Sequence, residues 1–211
     1  MRVSRRTARP GTMTGFTTLA SLLAAPQARA GVQEAGKHCR DFVQRMLRLN
    51  ATARSEPKPT DVAELARETV TLFKQSCAHP PDIALEVPPH PLVLQVDPVL
   101  IRHALFNLLS NAAQADPRGR ITVSVAREER QGTAGCGIEV ADTGEGFTPD
   151  VAAKLFTPFF TTRPGGTGLG LLVVQQIVVK HRGNVRAENV ASGGARFAMW
   201  LPLRLDSLEE K

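Results

Sequence analysis

Read as a pattern of hydrophobic and polar positions, the chain changes character near residue 57. Val32, Ala35, Cys39, Phe42, Met46 and Leu49 recur at alternating steps of three and four, a helical seam suited to packing on a second helix. One amphipathic helix lying on a globular domain would use the same residues. Upstream, the apolar patch Phe16–Ala25 is interrupted by Thr17, Thr18 and Ser21 and closed by Pro26, which predicts a short amphipathic helix. Pro57 and Pro59 mark a linker. Asp61, with Glu64 three residues on, is placed to cap a helix running to about Cys77. Pro80, Pro81, Pro88, Pro89 and Pro91 then bracket extended segments at Ile83–Val87 and Leu92–Val96, and Asp97-Pro98 opens another helix. Further strands are predicted at Ile121–Ala126, Ile138–Ala141, Val185–Val190 and Arg196–Leu203, with an apolar helix over Leu171–Lys180. Strands and helices interleave without a regular strand–helix–strand period and without an internal repeat. That favours an α+β fold, a two-layer α/β sandwich, over a doubly wound sheet.

Composition narrows the class. A chain of 211 residues that is 42% hydrophobic suits one ordinary domain plus a smaller element. No apolar run approaches the roughly 18 residues of a membrane span. Cys39, Cys77 and Cys136 lack metal-type spacing, so they read as small thiols in a reducing compartment. The net charge of +6 is uneven: residues 1–54 carry ten Lys/Arg against two Asp/Glu, and the rest sixteen against eighteen. Such a basic arm suits nucleic acid or an acidic membrane face. It has no interleaved aromatics and no DNA-reading motif, so a solvated helix face is the expectation and nucleic acid is not expected as a partner.

Four segments carry the chemistry. Asn107-Leu108-Leu109-Ser110-Asn111-Ala112 comes first, then Asp142-Thr143-Gly144-Glu145-Gly146-Phe147. Leu155-Phe156-Thr157-Pro158-Phe159-Phe160-Thr161-Thr162-Arg163 follows, and Gly166-Thr167-Gly168-Leu169-Gly170-Leu171 closes the set. In order and spacing they resemble the asparagine, first glycine, phenylalanine and second glycine boxes of the ATP-binding domain of bacterial sensor histidine kinases. That superfamily also holds gyrase-type ATPases, MutL and the ninety-kilodalton heat-shock chaperones. The likeness covers roughly the last two thirds of the chain, and four ordered motifs are far more specific than one. Asn-Ala-Ala-Gln-Ala and Phe-Phe-Thr-Thr-Arg look most like kinases of the nitrogen-regulation type.

The residues themselves suit such a site. Asn107 and Asn111 are four apart and share a helix face, while Leu105, Leu108, Leu109 and Ala112 bury the remainder. Alone, the two asparagines would be a polar surface. Magnesium takes hard oxygen ligands, which an amide can supply beside a triphosphate and water. The resemblance implies Mg2+ on Asn111, with Asn107 its neighbour at the phosphates. Asp142 ends a strand, where its carboxylate can accept from the exocyclic amine of adenine, and Gly144 and Gly146 let the backbone approach the base. Phe147 departs from the family's usual aliphatic residue, which alters packing more than chemistry. Gly166, Gly168 and Gly170, with Thr167, Leu169 and Leu171, form a glycine-rich loop entering a helix N-terminus, a ready anion site. The spacing fits neither the dinucleotide fingerprint nor a P-loop. By resemblance, Phe156, Phe159 and Phe160 anchor a mobile lid that carries Thr161, Thr162 and Arg163, with Arg163 contacting phosphate.

Position 107 separates branches of the superfamily. Gyrase-type and chaperone ATPases, and the anti-sigma serine kinases, place a glutamate there as general base. Asn107 cannot take a proton at neutral pH, whereas a neutral imidazole nitrogen is already nucleophilic. The site therefore suits transfer to histidine over hydrolysis or serine phosphorylation, and the catalytic set is Asn107, Asn111 and Arg163.

An acceptor motif of the family's His-Glu/Asp-Leu-x-x-Pro-Leu type is missing. His38, His79, His90, His103 and His181 all lie in other settings. His38 is followed by Cys39 where an acid belongs and by Val43 where proline belongs. His103 is expected to pack, and His181-Arg182-Gly183 to end a helix with a glycine cap. The resulting expectation has three parts: a shortened dimerisation hairpin over residues 1–56, an ATP-binding catalytic domain over 57–205 and a tail over 206–211. ATP and Mg2+ are the expected cofactors. The expected partners are a histidine-bearing hairpin or phosphotransfer protein in trans, a response-regulator receiver domain and a second copy in a homodimer. The alternative is an ATP-binding pseudokinase that transmits occupancy without transfer. Arg2, Arg5, Arg6 and Arg9 before the first apolar patch, then Ala28-Arg29-Ala30, imitate a secretory leader. Export would part an ATP site from its nucleotide, so a cytoplasmic location is expected.

Overall fold

The computed structural model describes residues 56–163 and 165–203. The helices expected within residues 1–50, His38 among them, and the tail lie outside the described residues.

The described elements run β1 (Lys58–Asp61), α1 (Val62–Ser76), β2 (Asp82–Glu86), β3 (Val93–Val96) and α2 (Pro98–Ala115), then the hairpin β4 (Arg120–Arg130) and β5 (Thr133–Asp142). A short turn of helix α3 (Pro149–Ala152) leads to α4 (Gly170–Lys180), and β6 (Asn184–Asn189) with β7 (Ala195–Pro202) closes the chain. Five strands form one mixed sheet in the order β2-β4-β5-β7-β6. β2 is parallel to β4, and the other neighbours are antiparallel. β1 and β3 make a separate two-stranded ribbon. The helices cover one face of the sheet, so the expected two-layer α+β sandwich is observed.

Periodicity explains the layers. On β4 and β5, Ile121, Val123, Val125, Ile138 and Val140 alternate inward and are fully buried, as a strand period of two requires. They meet Leu105, Leu108, Leu109 and Ala112 of α2, and Val173, Val174, Ile177 and Val178 of α4, in one cluster. Each large side chain in it contributes about 1.5–3 kcal/mol by leaving water. Cys136 is buried there, and burial pushes its thiol up to about 12 with the Glu128 carboxylate adding to the shift. It stays protonated and unreactive. Cys77 is half-buried and also a free thiol.

Helix starts follow their caps. Asp61 accepts from Ala63 N at 3.0 Å, and Asp97 accepts from Val99 N and Leu100 N at 3.0 and 3.1 Å, with Pro98 in the first turn. Three expectations need correction. Pro59 belongs to no linker: it lies in β1 opposite Gln95, on a two-stranded ribbon that tolerates a missing donor. β4 and β5 outrun their apolar cores and turn at Gln131-Gly132, both at positive φ, the backbone of a tight hairpin turn. At the end of α4 the left-handed residue is Arg182, φ 56°. Gly183 is required for another reason, since a Cβ there would collide with the Trp200 carbonyl.

Candidate nucleotide site

Helix α2 gathers the four segments. Asn107 Nδ2 donates to the His103 carbonyl at 3.1 Å, which fixes the amide and turns Oδ1 outward. A Cβ placed on Gly170 would sit 3.6 Å from that Oδ1 and 3.9 Å from the Asn111 amide, so both carboxamides face the first residue of α4. Asn111 is half-buried, and its side chain makes no hydrogen bond to a described residue. An amide that bonds none of the described residues fits an oxygen ligand for a hard cation. Opposite it, the N-cap Leu169 supplies no side-chain hydrogen bond, which leaves the first amides of α4 open to an anion. The chemistry legible here is therefore carboxamide oxygens facing bare amides, with no carboxylate at position 107.

One turn further along α2, Ala115 touches the first glycine segment: a Cβ on Gly144 would lie 3.1 Å from the Ala115 Cβ. Asp142 is 5% exposed and its Oδ1 accepts from Gly144 N at 2.9 Å and Ala195 N at 3.2 Å. Two backbone donors on one oxygen fix the orientation of the carboxylate. Glu145 is exposed, Gly146 adopts φ 73°, and the Phe147 ring lies tilted against Phe197 with centroids 6.3 Å apart. The aromatic substitution at 147 thus found a partner on β7.

The lid segment returns to the same helix. Arg163 donates from Nη1 to Gln114 Oε1 at 3.2 Å, three residues past Asn111. Thr161 Oγ1 accepts from Arg163 N at 3.1 Å, while Thr162 is exposed and Thr167 half-buried. Gly166 lies against Thr161 Oγ1. Phe159 N donates to the Gly168 carbonyl at 3.0 Å, and a Cβ on Gly168 would collide with the Phe159 backbone; this close approach admits glycine alone. Leu169 is buried, and Leu171 packs on the core from partial exposure. The anchor expectation fails for Phe159, which is 51% exposed at φ 63°: its left-handed backbone turns the ring outward. Phe156 and Phe160 are half-buried, and Lys154 Nζ lies 6.0 Å from the Phe160 ring centre.

Comparison with known proteins decides the class. The profile described as "Histidine kinase-, DNA gyrase B-, and HSP90-like ATPase" matches residues 96–205, more than half of the chain. The chain belongs to this family. Sensor histidine kinase ZraS of Salmonella typhimurium is 43% identical over 110 residues, covering 52% of this chain and 23% of ZraS. The chain thus spans about a quarter of that curated relative. Among solved structures, the nucleotide-free catalytic domain of histidine kinase ThkA aligns with TM-score 0.61 and 30% identity over 70% of this chain and 98% of that one. Full-length ShkA in complex with AMPPNP aligns with TM-score 0.63 and 26% identity over 84% of this chain and 39% of that one. The described domain is an ATP-binding catalytic domain of the histidine-kinase class.

Residues of this kinase-type domain that the sequence did not flag now stand out. Asn189 and Ala195 bond the first glycine segment. Buried His181, 2% exposed, bridges two site helices: its Nε2 accepts from Asp97 N at 3.0 Å and its Nδ1 lies 2.7 Å from the Ile177 carbonyl. That pattern requires the neutral ring protonated on Nδ1. Burial lowers the His181 pKa, against raising contributions from the Ile177 hydrogen bond and the Asp97 charge. Only a glycine-cap pattern marked the residue beforehand, and that signal speaks of a helix end. Among the described residues, no helix is long and apolar enough to cross a membrane.

Proposed function

We propose that the chain is the ATP-binding catalytic core of a two-component histidine protein kinase. In this reading it binds Mg-ATP and passes the γ-phosphoryl group to a histidine on a helical hairpin of another chain. A receiver-domain aspartate is the downstream carrier, the protein acts in the cytoplasm as a homodimer through residues 1–56, and 206–211 form a tail. The wording of the asparagine and phenylalanine boxes further supports kinases of the nitrogen-regulation type.

The observation that carries the reading is Asn107 Oδ1 and Asn111 facing the uncapped start of α4 with no general base at position 107. In this arrangement Asp142 holds adenine through its amine. Asn111 would hold magnesium, which when bound neutralises phosphate charge, with Asn107 beside it. The amides of Gly170 and the following residue orient the triphosphate, and Arg163 contributes its guanidinium from the lid. None of these groups needs to accept a proton, because the attacking imidazole nitrogen carries none. Positioning and charge stabilisation do the work, as in phosphoryl transfer generally.

The test is incubation with γ-labelled ATP, magnesium and a histidine-bearing hairpin from a related kinase. Acid-labile label on the hairpin is the expected result. Tight ATP binding without label at any time would replace the kinase reading by an ATP-holding pseudokinase. Asn107→Glu is expected to raise phosphate release from almost nothing; rapid release by the unmutated protein would contradict the argument from the missing base.

A further inference from the structure

The carboxylate that meets the purine stands at one end of a segment, Asp142–Phe147, whose two ends are held by a single cross-strand pair. Asn189, the last residue of β6, and Ala195, the first of β7, are register partners. Ala195 N donates to Asp142 Oδ1 at 3.2 Å. Asn189 grips the other end with both atoms of its amide: Oδ1 accepts from Phe147 N at 3.0 Å and Nδ2 donates to the Phe147 carbonyl at 2.7 Å. A side-chain amide thereby reproduces the two-bond bridge that a neighbouring strand would make.

The turn between them is fitted to the segment as closely. Gly194 adopts φ 90°, and a Cβ there would collide with the Asp142 carbonyl. Gly146 adopts φ 73°, with its missing Cβ 2.6 Å from Asn189 Oδ1 and 3.1 Å from the Gly194 carbonyl. Both glycines sit where the two stretches of backbone touch, and the hairpin is closed by Val190 N to the Gly194 carbonyl at 2.9 Å. Asn189 therefore sets the path of the chain from the fixed carboxylate to Phe147, over the residues that approach the base.

We infer that Asn189 is a positioning residue for purine recognition, acting through the backbone of Phe147 to hold the Gly144–Gly146 turn against the base beside Asp142. It touches neither nucleotide nor metal in this assignment. The inference rests on the nucleotide reading above and deepens it: Asn189 sets discrimination for a base with an exocyclic amine, while affinity for the triphosphate resides on α2 and α4.

The experiment compares ATP with purine riboside triphosphate, which lacks the amine, by calorimetry on the full chain with magnesium. Wild type is expected to prefer ATP. Asn189→Ala removes two hydrogen bonds, and ATP affinity is expected to fall about tenfold or more. The analogue is expected to lose less than threefold, so that the preference narrows. Asn189→Asp keeps the shape and the acceptor for Phe147 N while setting an oxygen against the Phe147 carbonyl; it is expected to fold and to show the same narrowing. Equal losses for both ligands in either folded variant, or an unchanged preference, would overturn the inference and leave the nucleotide reading intact. A wild type that binds ATP without preferring it overturns the role of Asp142 and this inference together, and one that binds neither ligand overturns the nucleotide reading itself.

Discussion

The two glycine-bearing segments of the site are held in different ways. Asp142–Phe147 is bonded to other elements at both ends, by Ala195 and Asn189, and lies against Ala115 of α2. Among the described residues, the bonds of the stretch from Leu155 to Leu169 run largely within it, through Thr157 to Phe160, Gly168 to Phe159 and Thr161 to Arg163. Its side-chain bond to α2 is the exposed Arg163–Gln114 pair. Elements with few buried contacts open most easily. In the proposed reading, the base end of the site is preorganised by the fold, while the phosphate end is left for the ligand to order. That division suits the proposed transfer, in which one base is bound selectively and a product is released after each turnover.

The contrast can be broken by mutation. The largest effect is expected at the base end. Asp142→Ala removes a fixed charged acceptor worth about 1.5–3 kcal/mol, so ATP affinity measured by calorimetry should fall about ten- to a hundredfold or more. Arg163→Ala should change affinity far less and act on the rate of transfer, because its guanidinium is already bonded to the exposed Gln114 of α2. Equal affinity losses in the two variants would erase the distinction. Next comes a pair of glycines. Gly194→Ala forces a Cβ into the Asp142 carbonyl at φ 90°, and urea unfolding should register a loss of about 2 kcal/mol. Gly165→Ala in the lid has a similar φ of 72° but nothing within 4 Å, so about 1 kcal/mol is expected.

The last prediction concerns what the two ends share. His181 ties the start of α2 to the end of α4 as a neutral ring, and its pKa is lowered by burial. The unfolded chain therefore takes up its proton first as pH falls. The stability from this group is complete above about 6.5 and declines below it, by up to about 1.4 kcal/mol per pH unit, until the folded ring is protonated. Melting followed from pH 8 to pH 5 should show that decline, and His181→Gln should flatten it. A mutant curve parallel to wild type would assign the acid sensitivity to other groups.

Much of this is legible in the sequence alone. Asn107 and Asn111 announce a shared face by their spacing, Asp61 and Asp97 announce helix starts, and the alternation in β4, β5 and β7 announces an inward side. The misreadings have physical causes. Pro59 looks like a linker because proline cannot donate to a ladder, yet an edge position needs no donor. The charged ends of β4 conceal a strand that continues past the core into solvent. Phe159 looks like core by composition and is turned outward by a backbone angle that composition does not encode.

By itself the sequence determined the class of fold, the two-layer arrangement and the family, since each rests on local spacing and on the period at which apolar residues return. Only the tertiary structure decided that Asn189 and Ala195 bond the two ends of Asp142–Phe147, and that His181 joins two helices through a contact with Asp97, 84 positions away. Hydrogen bonds of that range are made between polar residues that look ordinary along the chain. Their partners exist only after the hydrophobic layers have brought distant backbone into register.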